Sequence, residues 1–126
     1  MDGEGNALPV TEGMTPTRIA ENQSRFREAN EQIEAAADRM QLIGVIPFVC
    51  ECPREGCTEI VRLTIAEYEA IRVSPRLFFC APGHHEIAVR AGAAVVVGGG
   101  DGRYLTVEKV GVAGEVAEER YDKLSE

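Results

Sequence analysis

Tryptophan is absent from this chain, and the other aromatics come to four Phe and three Tyr. Positive charge is also scarce: 13 Lys and Arg stand against 21 Asp and Glu, a net charge of −8. Such a surface repels phosphate backbones and anionic headgroups, which disfavours nucleic-acid and membrane partners. No apolar run reaches the roughly 20 residues that a bilayer-spanning helix needs. The first residues, Met1-Asp-Gly-Glu-Gly, are acidic and lack the basic-then-apolar order of a secretory signal. A reducing cytoplasm is therefore the expected location, where clustered cysteines serve as ligands or catalysts more often than as disulfides. The Gly98–Gly102 run has no Lys-Ser/Thr after it, so it is not a phosphate-binding loop. No oriented base and oxyanion donors accompany a Cys–His pair, so nothing marks a nucleophilic enzyme.

What remains is a chain of 126 residues, 44% hydrophobic and 27% charged, in the range of one globular domain. Residues 1–14 are rich in Gly and acid without periodicity and read as a flexible lead. Residues 15–112 form the expected single domain, and 113–126 an acidic C-terminal tail, loose or partly helical. Thr15-Pro16 is a helix start, with Thr15 as N-cap and Pro16 at the first helical position. Behind it Ile19, Phe26, Ile33 and Met40 recur every seven residues, with Ala29, Ala36 and Ile43 between. This stripe predicts a helix over about 16–40, packed on the domain's own sheet or paired in a homodimeric coiled coil.

Strands are expected at 45–49, 58–63, 77–81, 93–97 and 103–110, with a hairpin turn over 98–102. Thr64-Ile-Ala-Glu67 is a capping box opening a short helix that turns Ile65, Tyr68 and Ile71 inward and ends before Pro75. The fold class that follows is α+β: a long N-terminal helix packed on a small antiparallel sheet with a zinc-knuckle turn. Glu67 and Glu69 fall on different helix faces and read as solvated charges.

The most informative stretch is Cys50-Glu-Cys52-Pro-Arg-Glu-Gly-Cys57, three thiols within eight residues. A strand end followed by a tight turn can wrap three thiolates around one ion, and Pro53 and Gly56 suit that turn. A dication also offsets the charge of three thiolates, which an unmetallated trio cannot do. Glu51, Arg54 and Glu55 flank the thiols, arguing against a place in an apolar core. Zinc takes four such ligands in a tetrahedron, so a fourth must come from Cys80-Ala-Pro-Gly-His84-His85. The Pro82-Gly83 turn favours His84; Cys80, inside an apolar run, and His85 are the alternatives. The expected site is one Zn2+ per chain on Cys50, Cys52, Cys57 and His84.

The chain resembles a family of small uncharacterised actinobacterial proteins with a CxC-x4-C knuckle and a PGH motif. The likeness rests on residues 26–33 (FREANEQI), Phe48-Val-Cys-Glu-Cys52 with Cys57, residues 63–72 (LTIAEYEAIR), Ala81-Pro-Gly-His84 and Val107-Glu-Lys109. It covers most of residues 18–120. The resemblance implies a zinc site with His84, rather than Cys80, as fourth ligand, because the family's PGH follows an aliphatic residue. It brings no activity. Beyond His84 the chain departs from the family, being rich in Ala, Val and Gly over 87–100 where charge is usual.

Two rival chemistries share the same residues. Cys50-x-Cys52 with Cys80-x-x-x-His84 has the ligand types of a small [2Fe–2S] site, but 27 residues intervene between Cys52 and Cys80 and Cys57 is left over. A zinc-ribbon nucleic-acid module needs a basic face; the first helix instead sets Arg18, Arg25, Arg27 and Arg39 against Glu21, Glu28, Glu31, Glu34 and Asp38. The expected function is thus a non-enzymatic interaction or regulatory module with a structural metal. Its partner would be another protein, and the chain itself a monomer or a homodimer through the N-terminal helix.

Overall fold

The computed structural model describes residues 15–99 and 102–125. The flexible lead expected at 1–14 and the centre of the 98–102 turn lie outside these residues. Helix α1 (Pro16–Arg39) begins as its sequence dictates: the Thr15 side chain accepts the Arg18 N–H at 3.2 Å, with Pro16 at the first helical position. It ends when Gln41 takes a left-handed φ of 56°, before Gly44 and Pro47 are reached. Strand β1 (Val45–Val49) pairs antiparallel with β2 (Ile60–Thr64), and the cysteine turn is their connection. Helix α2 (Ile65–Arg72) opens on the capping box, Thr64 and Glu67 each accepting the other's backbone N–H.

The β structure divides into two small antiparallel sheets. Besides β1–β2 there is a three-stranded sheet in the order β3 (Leu77–Cys80), β5 (Leu105–Lys109), β4 (Ala94–Gly99). A short helix, α3 (Glu86–Arg90), lies between β3 and β4 and was not expected. Nor is the C-terminal stretch a loose tail. Gly111–Ser125 is helix α4, packed along α1 and β5, with Ala113 and Ala117 in the core. Small residues four apart give such a helix a flat face, which lets it approach α1 closely.

The apolar core gathers between the two sheets. Phe48 stacks on Tyr68 at 4.5 Å between centroids, and Phe79 meets both edge-on. Val61 and Leu63 of β2 point into it, while Ile60 and Arg62 point out. The heptad stripe of α1 enters this core fully only at its start, with Ile33 packed against the core's edge. Ile19 is buried and Phe26 and Ile33 are half-buried, but Ala29 is exposed, Met40 is 67% exposed and Ile43, just past the helix, 94%. The face that α1 buries is instead Ala20, Gln23, Arg27, Asn30, Glu34 and Ala37. It is mostly polar: Arg27 and Asn30 bond groups at the cysteine turn, while Glu34 pairs with Arg72 of α2.

Candidate metal centre

The β1–β2 connection curls because its own backbone supplies donors to the sulfurs. The Arg54 N–H approaches Cys52 and the Glu59 N–H approaches Cys57, each two residues beyond its cysteine. The third donor comes from the other sheet: Ala81 N–H reaches Cys50 Sγ at 3.3 Å. That places the end of β3 beside the turn, where Glu51 N–H also donates to the Phe79 carbonyl at 3.0 Å. From β3 the chain makes one further turn, His84 N–H to the Ala81 carbonyl at 3.0 Å. Gly83 takes φ +91° there, a value that side chains with a Cβ resist. The turn delivers His84 to the cysteines.

His84 Nδ1 lies 3.5 Å from Cys50 Sγ and 3.6 Å from Cys57 Sγ. The ligand atoms of Cys50, Cys52, Cys57 and His84 all fall within 4.8 Å of one another. Metal bonds of about 2.3 Å to sulfur and about 2.0 Å to nitrogen give a tetrahedral S···N edge of about 3.6 Å. The observed separations match that edge, so these residues fit one four-coordinate ion. Among the described residues no other group of three or more Cys, His, Asp or Glu gathers in this way. Cys80 and His85, the alternative fourth ligands, stand outside the group. Burial pushes the Cys80 thiol up to about 12, as befits a small core residue.

All four cysteines are free. Without an ion the three clustered thiols share charge unequally. The hydrogen bond from Cys50, helped by the Arg54 N–H, draws Cys52 down to about 5. Cys50 is pushed up by that same bond and by burial, and Cys57 chiefly by burial. The cluster then holds one thiolate and two thiols near neutrality. A divalent ion bound here would displace the two remaining protons.

The turn is solvated at Arg54 and Glu55, as their charge suggested, but not at Glu51. Cys50, Glu51 and Cys52 are all buried, Glu51 and Cys52 completely. Glu51 is held by the polar face of α1: Arg27 grips it with two bonds, 2.8 Å from Nε and 2.9 Å from Nη2. Asn30 donates one amide hydrogen to Glu51 and another to the Val49 carbonyl, and accepts the Val49 N–H, each at 2.8–2.9 Å. Asn22 donates to the Pro53 carbonyl at 2.9 Å. The long helix thus clamps both sides of the turn. Such outer contacts fix ligand geometry as firmly as the ligands themselves.

Lys109 completes this buried polar layer and has no hydrogen-bond partner at Nζ. Burial brings its ammonium down to about 7, against the pull of Glu51. The sequence carried a signal for it. Leu105, Val107 and Lys109 alternate along β5 and so share the inward face.

A separate cavity of about 360 Å³ lies on the far part of α1, lined by Glu31, Glu34, Ala35, Asp38, Ile65, Glu69 and Arg72. Glu69 is not merely solvated there. Burial, then a hydrogen bond with Glu69, raises Glu34 to about 7. No family model, curated protein or solved structure matches this chain. No helix among the described residues is long and apolar enough to cross a membrane.

Proposed function

We propose that this chain is a zinc-binding interaction or regulatory module in which Cys50, Cys52, Cys57 and His84 hold one structural Zn2+. The observation that carries this reading is the pair of S···N separations, 3.5 and 3.6 Å, at the edge length of a tetrahedral ion. Four protein ligands leave no open position at which water is activated, which separates a structural from a catalytic zinc. The N–H donors to all three sulfurs support the thiolate form that the metal requires. Three thiolates with one imidazole also suit zinc better than harder ions.

A [2Fe–2S] cluster divides its ligands between two irons, whereas this set closes around one point. Thiol redox chemistry needs an accessible sulfur; Cys50 and Cys52 are covered, and Cys57 alone of the three is half-buried. Nucleic-acid binding is disfavoured by the net charge of −8. The likeness to the actinobacterial CxC-x4-C family and a cytoplasmic, reducing setting belong to the same reading, since clustered cysteines without disulfides are the usual pattern of reducing compartments.

Elemental analysis of protein purified without added metal tests it. About one equivalent of zinc per chain and negligible iron are expected. A brown, iron-containing protein, or one free of metal that takes up none, overturns the reading.

A further inference from the structure

The buried layer beside the cysteines encloses more positive than negative charge. Lys109 is 0% exposed and its Nζ meets no hydrogen-bond acceptor. Its ammonium sits 4.1 Å from the centre of the Phe78 ring, and the Arg27 guanidinium sits 4.3 Å from the same ring. Glu51 is the anion between them, and both its oxygens are taken. Oε1 accepts from Arg27 Nη2 and from the Phe79 N–H, Oε2 from Arg27 Nε and Asn30. While Lys109 is protonated, two cations and one committed anion leave an excess of one positive charge.

An uncompensated buried ammonium is costly, and a ring face offsets only part of that cost. Among the groups that act on it most strongly, the remaining ones are Cys80 and Cys52. Cys80 stays a neutral thiol because burial pushes it to about 12. The knuckle is therefore where negative charge can come from. Three thiolates, a neutral imidazole and a divalent ion sum to one negative charge.

We propose that Lys109 is the countercharge of the metal centre, its ammonium balancing the single negative charge that three thiolates leave on a divalent ion. This rests on the reading of Cys50, Cys52, Cys57 and His84 as a metal site. With a divalent ion the enclosed groups sum to zero. A monovalent ion leaves one negative charge and a trivalent ion one positive, so Lys109 makes the interior selective for ionic charge. In this low-dielectric layer the interaction acts without direct contact.

The test compares wild type, Lys109→Met and Glu51→Gln. Zinc affinity is read by chelator competition, and the Co2+-loaded proteins by absorption. Lys109→Met is expected to bind zinc about tenfold or more weakly, the range found for outer partners of metal ligands. Its sulfur-to-cobalt charge-transfer band should move to lower energy, since the thiolates lose a stabilising cation, while the ligand-field bands stay in place. Glu51→Gln, which removes an anion, should move the charge-transfer band the opposite way. If Lys109→Met does not fold, the direction in Glu51→Gln decides alone. Bands unmoved in both variants, or moved in the same direction, overturn the countercharge. Wild type that takes up neither zinc nor cobalt overturns the metal site itself, a different result from the same experiment.

Discussion

Two regions of this molecule treat polarity in opposite ways. Beneath α1, around the cysteine turn, Arg27, Asn30, Glu51 and Lys109 are buried. On β4, at the edge of the three-stranded sheet, Val95, Val96 and Val97 are each about half exposed, at 45–51%. Cross-strand register sharpens the contrast, because Val96 lies directly opposite Val107, which is 1% exposed. Both valines face the same side of the sheet, but the body covers only the second. Between these two regions, burial follows attachment to the knuckle rather than side-chain hydropathy. The polar layer persists because each of its groups except Lys109 Nζ is partnered, while the β4 valines cost little by staying wet.

The hardest way to break that arrangement is to remove its centre. A metal that joins β1, β2 and the turn after β3 contributes folding free energy, since the unfolded chain holds no preformed site. Cys57→Ser, or chelation of wild type, should lower the melting temperature of the whole domain by about 15 °C or more, with recovery on returning zinc to the chelated protein. An unchanged melt would mean that the knuckle hangs on the fold without supporting it. The thiol shifts add a second readout: with only Cys52 ionised beforehand, zinc uptake at pH 7 should release about two protons. Measured in weak buffer, no proton release would show all three already ionised.

The next effect should come from the clamp. Arg27→Met leaves Glu51 buried without its hydrogen-bonded cation, and breaking a buried ion pair in this way costs about 3–5 kcal/mol. Denaturant unfolding of Arg27→Met, Glu51→Gln and the double variant forms a cycle. The double variant should be less destabilised than the sum of the singles. Additivity would mean that the pair is incidental and would erase the difference between the two regions.

A smaller effect lies within the polar face itself, where α1 passes from satisfied to unsatisfied groups. Glu34 bonds Arg72 at 3.1 Å through Oε1, but its Oε2 has no partner, nor has Arg72 Nε. Burial and then Glu69 raise Glu34 to about 7. Between about 4.5 and 7 the folded protein therefore holds a proton that the unfolded chain has released, so this group's contribution to stability falls as pH rises through that window. Glu34→Gln keeps an acceptor for Arg72 and carries no charge to desolvate. It should be more stable than wild type at pH 8 by about 1 kcal/mol, and flatter between pH 4.5 and 7. Greater stability at pH 5 than at pH 8 relative to wild type would reverse the sign and refute the shift.

Much of the frame was legible in the sequence because its signals are local. Thr15-Pro16 and the Thr64–Glu67 box cap their helices through their own backbone, and Val61 and Leu63 alternate with Ile60 and Arg62 on β2. The knuckle and the Pro82-Gly83 turn likewise brought Cys50, Cys52, Cys57 and His84 forward as a group. What escaped was tertiary. Hydrophobic periodicity weighs apolar side chains alone, so it placed the stripe of α1 on Ile19, Phe26, Ile33 and Met40, of which only Ile19 is fully buried. Its buried face is chosen instead by what Arg27 and Asn30 can bond, and those partners, Glu51 and Val49, lie more than 18 residues away. Helix α4 was missed for a related reason. Its packing face is Ala113 and Ala117, and small residues leave a weak signal although they fit closely against α1.

The smallest effect should come from the exposed side of the comparison. Val96→Thr replaces a methyl by a hydroxyl of nearly the same shape and keeps a β-branched side chain suited to a strand. At Val107, opposite, the hydroxyl would enter the core and need a partner. At Val96, 46% exposed, water supplies one. The β4–β5 register is irregular between Val96 and Gly98, so backbone pairing there is already loosened. Val96→Thr should therefore change unfolding free energy by no more than about 0.5 kcal/mol in either direction. It should leave zinc content unchanged, because among the described residues no hydrogen bond or ion pair joins β4 to the knuckle. A loss of about 2 kcal/mol or more would mean that the β4 valines are covered in solution. In dilute protein the cover would be a second copy, and the loss would then grow with concentration. A loss independent of concentration would instead place β4 within the monomer's core and remove the contrast between the two regions.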